Sequence, residues 1–291
     1  MLSILNRVFH PADVDWDVFV TKRAGDAHRY AEAAVAAGYD AVGVYGGDGT
    51  VAQAASGLIG KPTPLAIFPG GTANVMSFEL GIPGDLPEAV ALVFDETAKI
   101  RQVDVGRVAG RDGQERYFVL RVGIGFEAQM VEGADRGLKD RLGDVAYALS
   151  ALNALREPPM ARYRLTLDGR EVACEGMTCI VANSGSMGRT GLSLAPGIDV
   201  SDGMLDVLVI RRSDLPALLS LAASLIRGKD TAEPLQRWQA REVAVAADPP
   251  QTVTVDGEIV EDTPLTVEVI PRAVRVLVPA GTETRAEQQQ K

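Results

Sequence analysis

Two glycine-rich stretches with polar side chains mark the N-terminal third of the sequence as a place where a ligand could bind. Gly46–Thr50 (GGDGT) and Gly70–Asn74 (GGTAN) each follow a short apolar run. Glycine lets a backbone approach a phosphate closely or adopt a positive φ, and the start of a helix offers unbonded N–H groups to an anion. Thr72 and Asn74 can donate hydrogen bonds to a phosphate or cap the next helix. One such loop is equally typical of a tight turn, but two in succession predict a phosphate or nucleotide site.

Asp48 places a carboxylate inside the first glycine-rich loop. Because a carboxylate and a phosphate repel each other, such a pair requires a cation, and Mg²⁺ commonly fills this role beside phosphates. The alternative is that Asp48 only caps a helix. The sequence has no Walker A motif and no protein-kinase HRD or DFG motif, so the predicted nucleotide site is not a P-loop.

A segment with three aspartates, GIDVSDGMLDV at residues 197–207, could hold a metal ion. Asp199 and Asp202 share this segment with Met204, whose backbone carbonyl group can act as a further oxygen ligand. Carboxylate and carbonyl oxygens are the ligands that Mg²⁺ and Ca²⁺ prefer. An acidic turn in front of a strand is the alternative interpretation.

Two glutamates also occur in suggestive loops. Glu258 directly follows the Asp-Gly pair of a predicted hairpin turn at 256–257, whereas the similar pair at 168–169 is followed by an arginine. The hairpin is therefore generic, and only the glutamate distinguishes it from the other one. Without further information, the local sequence predicts that Glu258 is an exposed strand residue. Glu127 lies in a third loop with two glycines, GIGFEA, near the expected junction between two domains.

The elements expected to position the loops alternate between strand and helix. Helices are predicted over Asp26–Ala37, with Asp26 as the N-cap, over Val51–Ile59 and from Asn74 to Leu80, and strands over Asp40–Tyr45 and Pro64–Pro69. Apolar strands connected by helices indicate parallel strands with both faces covered. Ligands bind at the carboxyl ends of such strands, where both glycine-rich loops fall.

The sequence changes character after about Ala98. Segments of alternating polar and apolar residues, several with Asp-Gly pairs, predict an antiparallel sandwich or barrel-like domain. Helical stretches at 138–155 and 215–227 interrupt it. The strand-like run AVRVLVPA near the end of the sequence could belong to either half, and the tail from Thr282 is polar.

Composition and charge limit the classes of protein to consider. The chain has 291 residues, 46% of them hydrophobic, which predicts a globular protein with one large domain or two average ones. A net charge of −10 argues against nucleic-acid binding and provides no polybasic membrane anchor. Cys174 and Cys179 predict reduced thiols in a cytoplasmic protein, because no second pair completes a zinc site. We find neither a membrane-spanning apolar run nor a signal peptide in the sequence.

Taken together, these residues resemble the diacylglycerol kinase catalytic-domain family, most closely its bacterial YegS-type lipid kinases. The resemblance runs from Thr21 to about Pro279. It rests on blocks that occur in order: TKRAGDA, GGDGT, FPGGTAN, GIGFEA, RLGDVAYALSAL, LAPGIDVSDGMLDV and VTVDGEIVEDTPLTVEVIP. GGDGT alone is shared with NAD kinases, so the last two blocks are the discriminating ones.

The resemblance implies a fold of α/β plus all-β class. It implies an NAD-kinase-like α/β nucleotide-binding domain followed by an antiparallel β-sandwich domain, with the active site in the interdomain cleft. We expect an ATP-binding domain over residues 1–98 with a returning strand at about 272–281, a lipid-substrate domain over 99–271, and a polar tail over 282–291.

The resemblance also implies roles for individual residues. Glu258 matches the general base that takes the proton from the lipid hydroxyl, and Asp48 matches a carboxylate that organises the Mg²⁺–nucleotide. Asp199, Asp202 and the carbonyl group of Met204 match a structural Mg²⁺ site. The loops and the resemblance together predict these ATP-binding positions: Thr21, Gly46, Gly47, Asp48, Gly49, Thr50, Val51, Ala52, Gln53, Gly71, Thr72 and Asn74. Glu127 is expected at the interdomain site.

The function implied is that of an ATP- and Mg²⁺-dependent lipid kinase of phospholipid metabolism, which phosphorylates a hydroxyl of a diacylglycerol-like or sphingoid-like lipid. Its expected partners are ATP and a membrane lipid, reached from the cytoplasm through transient peripheral contact. Nucleic acid is not an expected partner, and homodimerisation is left open.

Departures from the family pattern keep other functions open. The family's first strand and its Asn-Pro…Gly phosphate loop are not found, so the N-terminus is expected to lack one strand. Ala52 and Gln53 replace the usual Asn-Glu pair. Glu127 and Val75 stand where aspartate is usual. A catalytically weak lipid- or nucleotide-binding protein is therefore one alternative, and an NAD kinase is another.

Overall fold

The computed structural model describes residues 2–10, 14–111, 113–125, 160–187, 193–211 and 235–282. Contacts within the chain group them into two compact units. Unit 1 comprises Met1–Val105, Ser184–Gly203 and Ile270–Lys291, and unit 2 comprises Gly106–Asn183 and Met204–Val269. Several predictions fall outside the described residues, namely Glu127, the helices at 138–155 and 215–227, and the tail over 283–291.

Within the described residues, helices and strands alternate in the first part of the chain. The described helices are α1 (Leu2–Phe9), α2 (Asp26–Ala37), α3 (Asp48–Gly57), α4 (Val75–Glu79) and α5 (Leu86–Ala91), followed by a short 3₁₀ turn at Leu92–Phe94. The described strands are β1 (Val42–Gly46), β2 (Leu65–Pro69), β3 (Lys99–Ala109), β4 (Glu115–Phe118), β5 (Arg121–Gly125), β6 (Ala161–Leu167), β7 (Arg170–Gly176), β8 (Thr178–Ala182), β9 (Leu205–Ile210), β10 (Leu235–Ala240), β11 (Glu242–Asp248), β12 (Thr252–Val255), β13 (Glu258–Asp262) and β14 (Leu265–Val278).

Unit 1 is built around parallel strands. β1 pairs in parallel with β2, and the last part of β14 also runs parallel to β2, with Val276 opposite Leu65. Every residue of β2 is buried, as expected for a parallel strand with both faces covered. α2 packs against α3, and α5 packs against β2. The predicted parallel α/β arrangement is confirmed, and the last strand-like run of the sequence joins its sheet.

The starts of two helices differ from the prediction. α2 has the predicted bounds, but its N-cap is Gly25 with a φ of 84°, and Asp26 is the first helical residue. The Asp26 carboxylate instead accepts hydrogen bonds from the backbone N–H groups of Lys22 and Arg23. α3 begins at Asp48 rather than Val51, because the extended N-cap before it lets the first helical turn form within the GGDGT stretch.

The segment Ser184–Gly203 belongs to unit 1, whereas the predicted boundaries placed it in the second domain. Glu79, at the end of α4, accepts a hydrogen bond of 2.7 Å from the Ser184 hydroxyl. Asp104, a buried residue of β3, accepts one of 2.6 Å from the backbone N–H of Gly203. Because these contacts join distant parts of the chain, the sequence did not show that residues 184–203 belong to unit 1.

Unit 2 is an antiparallel β-sandwich, as predicted. One sheet has the strand order β10-β9-β8-β5-β12-β13. In the other, β6 pairs with β7 and with β11, and β11 pairs with the first part of β14, all antiparallel. Buried side chains from both sheets form one core, in which Tyr163 and Phe118 are the largest. The alternation of polar and apolar residues reflects strands with one face in this core.

Two hairpins of unit 2 have the turn predicted from their Asp-Gly pairs. Asp168 and Gly169 connect β6 and β7 with φ angles of 48° and 83°. Asp256 and Gly257 connect β12 and β13 with φ angles of 47° and 84°. Positive φ at both central residues is the property of a type I′ turn, whose twist suits a two-residue hairpin.

The two cysteines are free thiols within unit 2, as predicted. Cys179 is fully buried in the core, and Cys174 on β7 is partly buried. Burial raises the pKa of both thiols. Since the thiolate is the reactive form, neither cysteine is a candidate nucleophile.

Candidate nucleotide and lipid-kinase site

The two glycine-rich loops lie side by side in unit 1. The backbone N–H of Gly70 donates a hydrogen bond of 2.9 Å to the carbonyl oxygen of Gly46. A Cβ atom on Gly71 would lie 2.5 Å from the Cα atom of Gly47. The loops follow adjacent parallel strands, and their contact at this distance requires glycine. The structure therefore brings together the residues that the sequence predicted for phosphate binding.

Asp48 connects the two loops through its side chain. It is the first residue of α3, and its Oδ1 atom accepts a hydrogen bond of 3.1 Å from the backbone N–H of Met76 in α4. The carboxylate thus satisfies a donor in the first turn of a different helix, where a negative charge is also favourable. Asp48 is thus the first residue of α3 rather than its N-cap, and it bonds to the first turn of α4.

Asn74 gives the second loop its shape. Its Oδ1 atom accepts a hydrogen bond of 2.9 Å from the backbone N–H of Gly71, and its Nδ2 atom donates one of 2.8 Å to the Gly71 carbonyl oxygen. Asn74 adopts a φ of 47°, which asparagine tolerates better than most residues. Both ends of the Asn74 amide therefore bind the loop itself, while Thr72 is exposed at its tip. That Asn74 also binds the nucleotide stays a prediction.

Gln53 connects α3 to the turn that precedes α2. The Gln53 side-chain carbonyl accepts a hydrogen bond of 2.9 Å from the backbone N–H of Gly25. Thr21 is exposed a few residues before this contact, and Ala52 is buried on α3. The departure from the family pattern at position 53 therefore keeps a hydrogen-bond acceptor at that position.

Asp199 is paired with a buried arginine. Its Oδ1 atom lies 2.7 Å from the Nη2 atom of Arg101, and the two side chains are 8% and 9% exposed. The same oxygen accepts a hydrogen bond from the backbone N–H of Ser201, whose hydroxyl accepts one from Nε of Arg101. The guanidinium therefore neutralises the carboxylate that was predicted to bind a cation.

The remaining predicted metal ligands have different surroundings. Asp202 is exposed in the turn after Asp199, and Met204 belongs to unit 2. Within the described parts of the chain, no group of three or more His, Cys, Asp or Glu side chains is arranged to hold a metal ion. The contacts with Arg101 and Ser201 both involve the Oδ1 atom of Asp199, and the role of Asp199 and Asp202 as Mg²⁺ ligands stays a prediction.

Glu258 lies in unit 2 as the first residue of β13. Its side chain is exposed, and its backbone pairs with Val255 of β12. The adjoining turn residue, Asp256, accepts hydrogen bonds from three consecutive backbone N–H groups, those of residues 119–121. The predicted general base is therefore available to solvent and adjoins a firmly bonded turn.

Comparison with known protein families supports the interpretation of both units. Residues 2–108 match the diacylglycerol kinase catalytic domain, and residues 121–278 match the YegS C-terminal NAD kinase beta sandwich-like domain. The chain belongs to the diacylglycerol kinase family. Both matches fall where the structure places the parallel α/β unit and the β-sandwich.

Individual relatives of this diacylglycerol kinase family member cover most of its length. A diacylglycerol kinase of Mycobacterium tuberculosis is 33% identical over 88% of this chain and 82% of its own. An uncharacterised protein of Synechocystis is 32% identical over 80% of this chain, which spans only 54% of that protein. The structure is also similar to the crystal structure of a diacylglycerol kinase from Bacillus anthracis, with a TM-score of 0.76. The two sequences are 26% identical, and the match covers 95% of this chain and 91% of that one.

Three residues with evident roles in this diacylglycerol kinase family member were not found from the sequence. Arg101 neutralises Asp199, Glu79 holds the segment that begins at Ser184, and Asp256 binds three backbone N–H groups. Each acts on a partner far away in the sequence. The Asp-Gly pair was a visible signal for Asp256, but the identical pair at 168–169 made it seem generic.

Proposed function

We propose that this protein is an ATP- and Mg²⁺-dependent lipid kinase, and that it phosphorylates a hydroxyl of a diacylglycerol-like or sphingoid-like lipid. The observation that carries the proposal is the contact between the loops that contain Gly47 and Gly71. Two glycine-rich loops at the ends of adjacent parallel strands are suited to the phosphates of a nucleotide. Membership of the diacylglycerol kinase family supplies the lipid acceptor class.

The nucleotide side of the site consists of the loops and the start of α3. We infer that the γ-phosphate lies near Gly47 and Gly49, where the absence of a Cβ atom lets the backbone approach it. Thr50 and Thr72 have hydroxyl groups that can donate to phosphate oxygens, and Thr72 is exposed for this purpose. Asp48 has its orientation fixed by Met76, which favours a role in organising the charged groups.

Mg²⁺ bound with the nucleotide would neutralise part of the phosphate charge during transfer. The residue that fits this role by its chemistry is Asp48, since its carboxylate lies within the phosphate-binding loops. The second proposed Mg²⁺ site would use Asp199, Asp202 and the carbonyl group of Met204, with Arg101 bound to the Oδ1 atom of Asp199. A structural role for that ion stays a proposal.

The lipid side of the site rests on Glu258. In the proposed reaction, the lipid hydroxyl oxygen forms a bond to the γ-phosphorus while the bond from that phosphorus to the bridging oxygen of ADP breaks. Glu258 takes the hydroxyl proton, a role suited to a carboxylate because the proton leaves late in phosphoryl transfer. Ile259, which follows Glu258, is 45% exposed and offers an apolar contact to a lipid.

Access to lipid is proposed to occur through transient peripheral contact with a membrane. None of the helices that the structure describes combines the length and the apolar character needed to cross a membrane. The net charge of −10 disfavours a purely electrostatic attachment to anionic lipids. We therefore propose that the protein contacts the membrane through exposed apolar side chains such as Ile259.

The test is lipid-dependent transfer of label from ATP by the purified protein, with diacylglycerol and sphingoid bases presented in vesicles. We expect transfer that requires Mg²⁺ and is lost in Glu258→Ala. Glu171→Ala is a matched control, since Glu171 is an exposed glutamate next to the turn of the other hairpin. Absence of lipid-dependent transfer, or equal loss in both variants, would contradict the proposal.

Two further measurements separate the alternatives. ATP binding by calorimetry without turnover would favour a catalytically weak binding protein. Formation of NADP from NAD and ATP would favour an NAD kinase. The contact between Gln53 and Gly25 supports an intact nucleotide region despite the unusual residues beside the loop.

A further inference from the structure

Glu258 starts β13, whose backbone pairs with a single strand among the described residues. β13 lies at the end of the six-stranded sheet and pairs with β12 alone among the described strands. Its register with β12 shifts between Val253 and Thr254. An edge strand with an interrupted ladder has fewer backbone restraints than a central strand. Further along β13, Glu261 accepts a hydrogen bond from the backbone N–H of Arg111, so the turn before Glu258 is the contact that acts at the start of the strand.

Asp256 attaches that turn to the middle of the sheet. Its carboxylate accepts hydrogen bonds of 2.9, 3.0 and 2.9 Å from the backbone N–H groups of Val119, Leu120 and Arg121. Its own N–H donates to the carbonyl oxygen of Arg121 at 3.0 Å. Val119 and Leu120 connect β4 to β5, Arg121 is the first residue of β5, and β5 is an inner strand of the sheet.

The segment that binds Asp256 is itself held from the other side. Asn183, at the end of β8, donates through its backbone N–H to the Leu120 carbonyl oxygen and through Nδ2 to the Val119 carbonyl oxygen, at 2.9 and 2.8 Å. Asn183 is fully buried. Residues 119–121 are therefore hydrogen-bonded on both sides, by Asn183 and by Asp256. Through Asp256 the hairpin is attached to this segment.

We propose that Asp256 is a positioning residue for the phosphoryl-transfer reaction, which holds the β12–β13 hairpin on residues 119–121 and so keeps Glu258 in the geometry needed to accept the lipid proton. The proposal rests on the function proposed above. It assigns to Asp256 no contact with ATP or lipid; its effect is exerted through Glu258.

The chemistry of the contact requires a carboxylate. Three N–H donors point at Asp256, and an ionised carboxylate has about four lone-pair positions with which to accept them. Asparagine keeps one oxygen but would direct its NH₂ group at a donor. Burial raises the pKa of Asp256 to about 6, although the three N–H groups favour the charged form. The carboxylate is thus charged and fully bonded at neutral pH.

The chain contains a matched control in its other type I′ hairpin. Asp168 occupies the same turn position and accepts hydrogen bonds from the backbone N–H groups of Arg241 and Glu242. The residue after its turn is Arg170, and no function has been assigned to it. Asp168→Asn therefore removes the same kind of contact from a hairpin that does not contain the proposed base.

The experiment compares Asp256→Asn with Asp168→Asn in the full chain. We expect kcat to fall by about tenfold or more in Asp256→Asn, since small displacements of catalytic groups have effects of this size, while KM for ATP stays unchanged. In the Glu258→Gln background, Asp256→Asn should have no further effect on residual turnover. A folded Asp256→Asn protein with wild-type kcat, or an equal loss in the Glu258→Gln background, would overturn the proposal.

Glycine variants test the same idea without changing the carboxylate. Gly257 and Gly169 have φ angles of 84° and 83°, and a Cβ on either would meet no atom within 4 Å. Alanine strains both turns equally. We expect a loss of kcat in Gly257→Ala but not in Gly169→Ala, and equal losses would contradict the assignment. If Asp256→Asn does not fold, these two glycine variants still test the proposal.

Amide hydrogen exchange separates this proposal from the proposed function. If wild type transfers no phosphoryl group to lipid, the kinase assignment fails, but the hairpin can still be examined. Exchange at Ile259 and Val260 that is faster in Asp256→Asn than in Asp168→Asn supports the anchoring of β13. Unchanged exchange in Asp256→Asn overturns it.

Discussion

The side-chain carbonyl of Gln53 accepts a hydrogen bond from the backbone N–H of Gly25 at 2.9 Å. A glutamate oxygen can accept the same hydrogen bond. We therefore expect the free energy of unfolding of Gln53→Glu to be close to that of wild type. Gln53→Ala should cost about 1 kcal/mol, the usual contribution of one such bond. Urea unfolding measures both. Equal stability of the alanine variant would show that the bond does not stabilise the fold.

The contact between the glycine-rich loops predicts a steric effect. A Cβ on Gly71 would lie 2.5 Å from Gly47 Cα, whereas one on Gly84 would meet no atom within 4 Å. We expect Gly71→Ala to lose about 1–3 kcal/mol of stability, as for overpacked sites, and to bind ATP more weakly. Gly84→Ala should do neither. Calorimetric ATP titration and thermal unfolding provide the comparison, and tight ATP binding by Gly71→Ala would refute it.

The bond between Asp48 and Met76 allows the structural and chemical roles of the carboxylate to be separated. Asp48→Asn keeps an oxygen that can accept the Met76 N–H but removes the charge. We expect this variant to keep its stability and lose phosphoryl transfer. Asp48→Ala should lose both, with about 1 kcal/mol less stability. Retained transfer in a folded asparagine variant would show that the negative charge is not needed.

The buried pair of Arg101 and Asp199 predicts a large effect on stability. Removing Arg101 leaves a buried carboxylate without its cation, and we expect Arg101→Ala to cost about 3–5 kcal/mol. Arg162 and Glu175 form an exposed pair at 3.0 Å, so Arg162→Ala should cost less than about 1 kcal/mol. Denaturant unfolding distinguishes these values. Similar small losses in both variants would mean that Arg101 is not required to neutralise Asp199.

Asp26 predicts a dependence of stability on pH. The backbone N–H of Lys22 and the guanidinium of Arg29 hold the pKa of Asp26 at about 2, below its ordinary value of 3.8. Because the pKa is lowered in the folded state, this stabilisation is present above about pH 4 and is lost as the pH falls through about 2. We expect wild type to lose more stability than Asp26→Asn over that range. Parallel pH profiles of unfolding would contradict this.

Local sequence signals predicted the parts of the fold that depend on neighbouring residues. Apolar runs followed by glycines predicted parallel strands with loops at their ends, and Asp-Gly pairs predicted type I′ turns. The same signals could not show what each aspartate binds. Asp168 and Asp256 are each followed by a glycine in a hairpin turn. Even so, Asp256 binds the segment at 119–121 and Asp168 binds the start of β11. These partners become adjacent only when the sheets assemble.

A local contact replaces the predicted N-cap role of Asp26, whereas the place of residues 184–203 depends on long-range contacts. Aspartate is a residue type that favours the N-cap position. In the structure, however, the Asp26 carboxylate accepts hydrogen bonds from the backbone N–H groups of Lys22 and Arg23 instead. Residues 184–203 lie between two sandwich strands in the sequence, so their position in unit 1 depends on contacts with Glu79 and Asp104. No periodicity or turn signal contains that information.

The course of β14 has a consequence for synthesis on the ribosome. Its first residues belong to the sandwich of unit 2, and its last residues pair with β2 in unit 1. β1 and β2 therefore emerge early, but their sheet cannot gain this neighbouring strand until almost all of the sandwich has been translated. During that interval the edge of β2 that later pairs with β14 lacks its neighbouring strand, and unpaired strand edges of this kind favour aggregation.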